Sequence, residues 1–382
     1  MKHPITVGFD AKRIVRNGTG LGSYGRTLVN DLAAFSEFDL RLYAPDRGRD
    51  NLRQQVPERQ NLHYVYPLSS LPSPLSSLYK SYWRSRGIVS QLQTDGVQVF
   101  HGLSGELPVG IRKSGIKTVV TIHDLIFMRH PEYYNPIDVL IYKRKFFQTL
   151  READRIVAIS ECTRRDICEL GGIEKEHIDL VYQSCAQRFH QTHEALASNA
   201  VRVRYKLSER FILSVGSIEE RKNTLLAVKA LAWLPDEVHL VLVGRSTKYA
   251  KQVADYAERH QLAHRLHLLH GVPDDDLPAL YELAEAFVYP SRYEGFGIPI
   301  IEAIRMGLPV VACTGSCLEE AGGPDSLYVE PDDAEGLAAA LQQVLRGAEG
   351  REVRIERSLD YVRRFENNDA AQRFAAIYTE LT

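Results

Sequence analysis

The chain has 382 residues, of which 44% are hydrophobic and 25% charged, and its formal net charge at pH 7 is −2. These values are typical of a soluble globular protein of about two domains, and they argue against a basic nucleic-acid-binding chain. No apolar run approaches the ~20 residues that span a bilayer, and the N-terminal run reads as a strand instead of a signal peptide, so we expect a cytoplasmic protein.

Short apolar segments alternate with amphipathic helical segments along the chain, which predicts parallel sheets with crossover helices in two doubly wound units. The strands of the first unit are predicted at 5–9, 40–43, 62–66, 97–100, 118–122 and 155–159. Those of the second unit are predicted at 211–215, 238–243, 266–269, 286–289, 310–312 and 326–329. We therefore predict domains at 1–190 and 200–365, with the polar stretch 190–200 as a linker.

The C-terminal segment, residues 366–382, is predicted to be a helix. Its apolar residues Phe374, Ile377, Tyr378 and Leu381 recur at helical spacing and form a stripe. Because the segment lies well beyond the last strand of the second domain, we expect it to return and pack on the first domain.

The two halves of the chain differ in charge. Residues 1–190 contain 26 Lys and Arg against 20 Asp and Glu, whereas the remainder contains 21 against 29. A basic N-terminal half favours a phosphate-bearing acceptor or an anionic membrane surface, although a solvated face of mixed charge is the simpler explanation. Its basic clusters are not interleaved with aromatic residues, so we expect no nucleic-acid partner.

A glycine-rich loop at residues 17–25 follows the first predicted strand and leads into a helix predicted at 26–34. Gly20 and Gly22 would let the backbone approach a phosphate or a sugar, and a plain tight turn explains them equally well. The loop is not a dinucleotide fingerprint, because no acidic residue ends a following strand.

His123 follows the strand predicted at 118–122, at the edge where open α/β sheets bind ligands. It could form a hydrogen bond to a substrate hydroxyl or phosphate, and a structural histidine is an equally good explanation.

The first strand of the second domain leads into a loop that contains Gly216, Arg221 and Lys222. At a loop-to-helix junction both cations can point into a cleft, where they would neutralise a diphosphate and stabilise its departure. The alternative is an exposed charge pair. We expect Asn223 to cap the helix predicted at 224–233.

The most informative segment is the run 289–302, in which Glu294 and Glu302 are separated by a glycine loop and a helix start. Pro299 suits the start of a helix, so we predict that the helix begins around residues 298–300 and carries Glu302 in its first turn. Gly295 and Gly297 allow close backbone approach, and the helix N-terminus attracts a phosphate. The glutamates would then bind sugar hydroxyls, unless one balances the helix dipole and the other is a solvated loop acid.

Neither a metal site nor a disulfide framework is expected. The run Asp274-Asp-Asp276 precedes a helix, where capping explains it. The cysteines lack paired C-x-x-C spacing and are predicted to be buried, reduced thiols. These are Cys162, Cys168, Cys185, Cys313 and Cys317.

Together these segments resemble the retaining glycosyltransferases of the large sucrose-synthase and mannosyltransferase class (group 1, family 4). The resemblance covers nearly the whole chain and rests on the paired glutamates, supported by Arg221-Lys222-Asn223, the loop at Gly20 to Gly22, and residues 121–124 and 157–161. It implies an α/β, GT-B fold: two facing Rossmann-like, doubly wound parallel-sheet domains with an interdomain cleft. The overall pattern is similar to that of bacterial mannosyltransferase B-like enzymes, which extend O-antigen or capsule chains.

The resemblance also implies residue roles. Glu302 would bind the nucleotide ribose, and Glu294 would contact the transferred sugar near its third hydroxyl. Arg221 and Lys222 would take the diphosphate charge, and His123 would meet the sixth oxygen of the sugar. The glycine-rich positions would line the donor, with Gly22 beside the distal phosphate; these donor-lining residues are Gly20, Gly22, Gly216, Gly295, Phe296 and Gly297.

The implied reaction is transfer of a hexose, with retention, from a sugar nucleotide to a growing surface-glycan acceptor, without a cofactor or an obligatory metal. GDP-mannose is the expected donor, while UDP-glucose and UDP-galactose remain open. A lipid-linked acceptor would make the enzyme a peripheral protein at the inner face of the cell membrane. The alternatives are a sugar-nucleotide 2-epimerase of the same fold and a catalytically silent glycan-binding protein.

Overall fold

The computed structural model describes residues 3–67, 75–190, 195–365 and 369–382. The chain forms two compact units. The first consists of Met1–Gln183 together with Asn368–Thr382, and the second of Ser184–Asn367. Each unit has its own parallel β-sheet, which confirms the predicted α/β class.

The sheet of the first unit has seven strands in the order β3-β2-β1-β4-β5-β6-β7, and all neighbouring strands are parallel. These strands are β1 (Ile5–Asp10), β2 (Phe38–Tyr43), β3 (Leu62–Val65), β4 (Val99–Gly102), β5 (Lys117–Ile122), β6 (Arg155–Ala158) and β7 (Ile178–Leu180). The sheet of the second unit has six parallel strands in the order β10-β9-β8-β11-β12-β13. These are β8 (Arg210–Val215), β9 (Val238–Val243), β10 (Leu266–Leu269), β11 (Ala286–Tyr289), β12 (Val310–Cys313) and β13 (Leu327–Val329).

The α-helices of the first unit are α1 (Lys12–Arg16), α2 (Gly20–Leu32), α3 (Asp50–Arg53), α4 (Leu75–Tyr82), α5 (Ile88–Thr94), α6 (Ile126–Arg129), α7 (Pro136–Glu152), α8 (Glu161–Gly171) and, from the end of the chain, α17 (Asp369–Leu381). Those of the second unit are α9 (Ala195–Tyr205), α10 (Thr224–Ala230), α11 (Lys248–Arg259), α12 (Leu277–Leu283), α13 (Ile298–Arg305), α14 (Leu318–Gly322), α15 (Ala334–Gln342) and α16 (Arg351–Val362). A π-helical turn (Trp83–Gly87) joins α4 to α5, and a 3-10 turn (Glu220–Lys222) precedes α10. No helix in the described ranges is long and apolar enough to cross a membrane.

The central strands of the first sheet, such as β4 and β5, are buried on both faces. Along β5, Val119 belongs to one hydrophobic cluster and Val120 to another, because successive side chains of a strand point to opposite faces. Such strands read as continuous apolar runs, and this is why they could be located in the sequence. All twelve predicted strands are present. The edge strand β7 was not predicted, since its three residues, Ile-Asp-Leu, are too few to show a pattern.

Helix α17 packs into the core of the first unit. Phe374 and Tyr378 are fully buried there among residues of β1 and β2, and the Tyr378 hydroxyl lies 2.6 Å from Nδ1 of the buried His101. Burial lowers the pKa of His101 to about 3, so this histidine is a neutral structural residue.

Two predicted element boundaries were wrong. The stretch 190–200 is not all linker, because α9 begins at Ala195; residues 191–194 lie outside the described ranges. The polar composition of this stretch suggested a linker, but its alanines favour the helix that is present. Residues 17–25 are not all loop, because α2 begins at Gly20 instead of residue 26.

Candidate functional site

The strands β8 and β11 are parallel neighbours, so the loops that follow them leave the same edge of the second sheet. The first loop carries Gly216, Arg221 and Lys222, and the second carries Glu294. The backbone N–H of Arg292 donates to the carbonyl of Arg221 at 2.9 Å, which ties the two loops together. Sheet topology thus brings three predicted site residues into one cluster.

Glu294 is the centre of this cluster. Its side chain is buried and forms ion pairs with Arg221 Nη1 at 3.0 Å and with Lys222 Nζ at 2.5 Å. Burial alone would raise the pKa of Glu294, but the adjacent Lys222 and Arg221 lower it to about 2. Burial would likewise lower the pKa of Lys222, whereas Glu294 raises it above its ordinary value. All three groups are therefore ionised at neutral pH.

Tyr289, the last residue of β11, joins the same cluster. Its hydroxyl accepts a hydrogen bond from Lys222 Nζ at 2.7 Å and lies 3.5 Å from Glu294 Oε1, while Lys222 Nζ lies 5.0 Å from the ring centroid. Burial and the charge of Glu294 raise the pKa of Tyr289 to about 12, so the hydroxyl stays protonated. The sequence reasoning assigned no role to Tyr289. Its position at the carboxyl end of a strand was the available signal.

The guanidinium of Arg221 is held from three directions. Besides Glu294, it donates to the carbonyl of Tyr293 at 2.6 Å and pairs with Glu219 at 3.0 Å.

The prediction that the side chain of Asn223 caps α10 was wrong. Asn223 adopts a left-handed conformation, with φ of 53°, and its side-chain amide donates to the carbonyl of Pro331. A capping side chain needs extended backbone geometry, which this conformation does not provide.

A small cavity of about 10 Å³ lies beside Lys222, between Gly216, Thr224 and Tyr289. A Cβ built on Gly216 would stand 3.8 Å from Lys222 Cε. The Thr224 hydroxyl is buried and has no hydrogen-bond partner among the described residues. Because buried hydroxyls are normally paired, this one marks a position where a ligand oxygen would be stabilised.

Glu302 lies in the same unit as Glu294 but does not share its partners Arg221 and Lys222. It lies on α13 just beyond the first helical turn, not in the first turn as predicted. The hydroxyl of Tyr281 donates to Glu302 Oε2 at 3.0 Å. Burial raises the pKa of Glu302 to about 7, opposed by Tyr281 and by the charge of Arg188. Neither Tyr281 nor Arg188 was identified from the sequence, since both are distant from Glu302 along the chain.

Glu302→Gln is expected to gain stability relative to the wild type as pH rises. The folded-state pKa of about 7 lies above the ordinary value of 4.5, so the folded protein retains a proton that the unfolded chain releases in this window. Wild-type stability is therefore lost between pH 4.5 and 7, by at most about 3 kcal/mol, and the glutamine variant does not titrate. Urea unfolding at pH 5 and pH 8 measures the difference. Glu258→Gln is the control, because Glu258 is exposed on α11. A pH-independent difference for Glu302→Gln would contradict the buried, protonated carboxyl.

The turn from Glu294 to α13 is built around Gly297 and Phe296. Gly297 precedes the helix with φ of 105°, a conformation that favours glycine, and an added Cβ would lie 3.2 Å from Leu318. The Phe296 ring is buried edge-on against Phe365, with 5.3 Å between the ring centroids. The side chain of Phe296 therefore anchors the turn, and only the backbone of residues 295–297 is suited to meeting a ligand.

The remaining predicted residues, Gly20, Gly22 and His123, belong to the first unit. A Cβ on Gly22 would lie 1.9 Å from the carbonyl oxygen of Asn17, whereas one on Gly20 would have no atom within 4 Å. Gly22 thus has a packing reason to be glycine. No such packing constraint applies to Gly20.

Both ring nitrogens of His123 are engaged. Nε2 lies 2.8 Å from the carbonyl of Leu103, and Nδ1 lies 3.0 Å from the side-chain amide of Gln183. Burial lowers the pKa of His123 to about 4, so the ring is neutral, donates from Nε2 and accepts at Nδ1. Its role as a sugar contact stays a prediction.

Two of the three carboxylates in the acidic run at 274–276 pair with arginines. Asp276 does not cap α12 through its side chain; its carboxylate accepts instead from Arg204 at 2.6 Å and from Tyr205 at 2.6 Å. Asp274 pairs with Arg188 at 3.3 Å. Across the described ranges, no group of three or more His, Cys, Asp or Glu residues is arranged to hold a metal ion. All five cysteines are free thiols, and all but Cys168 are buried.

Comparison with known proteins gives consistent matches in sequence and structure. The family "Glycosyl transferases group 1" matches residues 200–359, and "Glycosyltransferase Family 4" matches residues 18–184. O-antigen chain mannosyltransferase B of Escherichia coli is 30% identical over 272 residues, 70% of each chain. O-antigen chain mannosyltransferase RfbU of Salmonella typhimurium is 25% identical over 253 residues, which cover 66% of this chain and 67% of the relative.

Among solved structures, Anabaena HepE in complex with UDP and glucose superposes with a TM-score of 0.74 at 18% identity, over 99% of this chain and 100% of that one. At this identity the likeness shows the fold, which is the predicted GT-B fold. The sequence matches establish the rest: the chain belongs to the group 1 glycosyltransferases, family 4, and is a hexosyltransferase.

Proposed function

We propose that this enzyme is a retaining mannosyltransferase that moves mannose from GDP-mannose to a growing surface glycan of the O-antigen type. The two relatives named above are both called O-antigen chain mannosyltransferases, which supports mannose and this class of acceptor. UDP-sugars are the competing donors, because the HepE structure contains UDP and glucose.

The observation that carries the proposal is the buried cluster of Arg221, Lys222 and Glu294 at the carboxyl ends of β8 and β11. Arg221 and Lys222 are two oriented cationic donors at one sheet edge, held there by Glu294 and Glu219, and such donors form strong charge-assisted hydrogen bonds with a diphosphate. The unpaired Thr224 hydroxyl beside Lys222 supplies a further donor for a phosphate oxygen. A diphosphate at this position would be bound chiefly by charge and would not require a metal.

The other roles follow from the same arrangement and from the family resemblance. Glu302, which is protonated in part near neutral pH, would bind the ribose hydroxyls. Glu294 would accept hydrogen bonds from hydroxyls of the transferred sugar. The backbone of Gly295, Phe296 and Gly297 would hold the sugar and the diphosphate. Gly20, Gly22 and His123 of the first unit are assigned to the distal phosphate and the sugar by the resemblance.

The proposed transfer needs no nucleophile from the enzyme. The bond between the anomeric carbon and the diphosphate oxygen breaks, and its electron pair leaves with the diphosphate. Lys222 and Arg221 stabilise the charge that develops on this leaving group. The acceptor hydroxyl then attacks from the same face, and its proton passes to the departing phosphate oxygen. Positioning and charge stabilisation account for catalysis.

A panel of sugar nucleotides tests the proposal. GDP-mannose is expected to raise the melting temperature of the protein, since a ligand at 100 times its Kd stabilises the folded state by about 2.7 kcal/mol. NMR of the product should then show the α-anomer retained on an O-antigen-type acceptor. Stabilisation by a UDP-sugar alone would overturn the donor. An inverted product would overturn the mechanism, and epimerised donor without an acceptor would favour the 2-epimerase.

A further inference from the structure

A series of side-chain hydrogen bonds crosses the first unit from α17 to α2. The Tyr378 hydroxyl lies 2.6 Å from Nδ1 of His101 on β4, and Nε2 of His101 lies 2.8 Å from the Thr121 hydroxyl on β5. The Thr121 hydroxyl lies 3.1 Å from the hydroxyl of Tyr24 on α2. We call these four residues the α17–α2 network. Three of them are fully buried, whereas Tyr24 is half-buried, so the network runs from the core to a residue that a ligand can reach.

Burial fixes the direction of each hydrogen bond in the α17–α2 network. Among the described residues the Tyr378 hydroxyl has no acceptor other than Nδ1 of His101, so it donates there. The neutral ring of His101 must then donate from Nε2 to the Thr121 oxygen. The proton of the buried Thr121 hydroxyl has only the Tyr24 oxygen to receive it. Tyr24 therefore accepts from Thr121, and its own proton is left to be donated outside the network.

The Tyr24 hydroxyl thus has no internal acceptor in the ranges that the structure describes. The Tyr24 ring packs edge-on against His123, with 4.8 Å between the ring centroids. Because His123 follows β5, this pair lies at the carboxyl edge of the first sheet, where open α/β sheets bind ligands. A donor at this edge loses its hydrogen bond to water when a bound substrate excludes solvent, unless the substrate supplies an oxygen instead.

His123 itself has no free N–H group for a substrate. Its Nε2 donates to the Leu103 carbonyl, and its Nδ1 accepts from the side-chain amide of Gln183. Burial lowers the pKa of His123 to about 4, so the ring does not gain a second proton near neutral pH. The adjacent Tyr24 hydroxyl is therefore better placed than the imidazole to donate to a substrate oxygen.

We propose that the Tyr24 hydroxyl donates a hydrogen bond to a hydroxyl oxygen of the transferred sugar. Burial raises the pKa of Tyr24, so the group stays a neutral donor. A neutral O–H suits a neutral sugar oxygen, whereas a phosphate is bound more strongly by cations such as Arg221 and Lys222. The inference rests on the proposed function, because it takes the ligand to be a sugar nucleotide, and it adds a contact for which the family resemblance names no residue on α2 beyond Gly20 and Gly22.

Tyr24→Phe tests this contact, because it removes the hydroxyl and keeps the ring that packs on His123. With GDP-mannose as donor, kcat/KM should fall about tenfold, the effect of losing one neutral hydrogen bond. The rise in melting temperature with GDP-mannose should be smaller than for the wild type, while the rise with GDP alone should be equal. Each rise is measured against the same variant without ligand, which separates it from any change in folding stability. An equal loss with GDP would place the contact on a phosphate oxygen and overturn the proposal.

Analogues of GDP-mannose that each lack one sugar hydroxyl identify the oxygen that Tyr24 contacts. For the wild type, one of these analogues should be about tenfold poorer than GDP-mannose, yet for Tyr24→Phe it should be no poorer, because the hydrogen bond is already absent. A purely structural role for Tyr24 would not produce this coupling. Additive losses with every analogue would therefore overturn the proposal.

Tyr64→Phe is the matched control, because Tyr64 is also half-buried in the first unit but its hydroxyl donates to the Val56 carbonyl at 3.1 Å. It should transfer sugar like the wild type. If GDP-mannose fails to stabilise the wild type, the proposed donor is wrong, and the same comparison is made with the sugar nucleotide that does stabilise it. If the wild type is stabilised and Tyr24→Phe retains the full effect and full turnover, the contact of Tyr24 alone is refuted.

Discussion

Lys222→Ala is expected to lower kcat/KM for sugar transfer by about 10²- to 10³-fold, the loss typical of removing one group that stabilises a developing negative charge. Lys222 is buried, ionised and held by Glu294 and Tyr289, so its ammonium is already oriented before a donor arrives. The variant should also lose most of the thermal stabilisation by the nucleoside diphosphate alone. Initial rates with a saturating acceptor, together with melting curves with and without the diphosphate, measure both effects.

Lys251→Ala is the control for this substitution, since Lys251 is exposed on α11 and pairs only with Asp255 at 3.0 Å among the described residues. Its rate should equal that of the wild type. Because Arg221 still pairs with Glu294 when Lys222 is removed, we expect Lys222→Ala to fold. A folded Lys222→Ala variant with wild-type turnover would refute the assignment of this cluster to the diphosphate.

The fold was predictable because its signal is local and repeated. Central parallel strands such as β5 and β9 are buried along most of their length, so they appear in the sequence as short apolar runs between helical segments. The errors arose where local signals were weak or misleading. Three residues of β7 cannot show a period, and the glycines at the start of α2 suggested a loop where Gly22 instead fits closely against the Asn17 carbonyl.

The candidate site was predictable as far as strand order determines it. Residues that follow β8 and β11 had to meet at one sheet edge, and Arg221, Lys222 and Glu294 do. The sequence could not identify the hydrogen-bond partners that lie far from the site residues along the chain. Tyr281 reaches Glu302 from another helix, and Gln183 occupies Nδ1 of His123 from a different segment of the first unit. These contacts decide which groups are charged and which hydrogen-bond positions are open, and no local pattern encodes them.

The ion pairs around Glu294 have a consequence for the donor. Without a ligand, the carboxylate satisfies both cations, so a diphosphate must share Lys222 and Arg221 with Glu294. Sharing shifts part of each cation's hydrogen bonding away from the carboxylate and exposes its oxygens to the hydroxyls of the sugar. In this scheme Glu294 has two functions: it keeps the cations in place before binding, and it accepts sugar hydroxyls afterwards.

Glu294→Gln should separate these two functions. The amide cannot neutralise the cations, so we expect the nucleoside diphosphate alone to stabilise the variant at least as strongly as the wild type. Sugar transfer should fall by about 10²-fold or more, because the amide accepts weaker hydrogen bonds from the sugar hydroxyls and no longer holds Lys222 by charge. The pKa of Glu294 is about 2, so the wild-type carboxylate is ionised throughout the working pH range and the loss should not depend on pH.

Glu219→Gln is the matched control, because Glu219 pairs with the same Arg221 at 3.0 Å but is more exposed than Glu294. If charge on Arg221 alone governs the reaction, both glutamine variants should lose activity to a similar degree. If Glu294 contacts the transferred sugar, only Glu294→Gln should lose turnover while retaining diphosphate binding. Loss of diphosphate binding in Glu294→Gln would instead show that the carboxylate acts by positioning the cations, and the sugar contact would have to be assigned elsewhere.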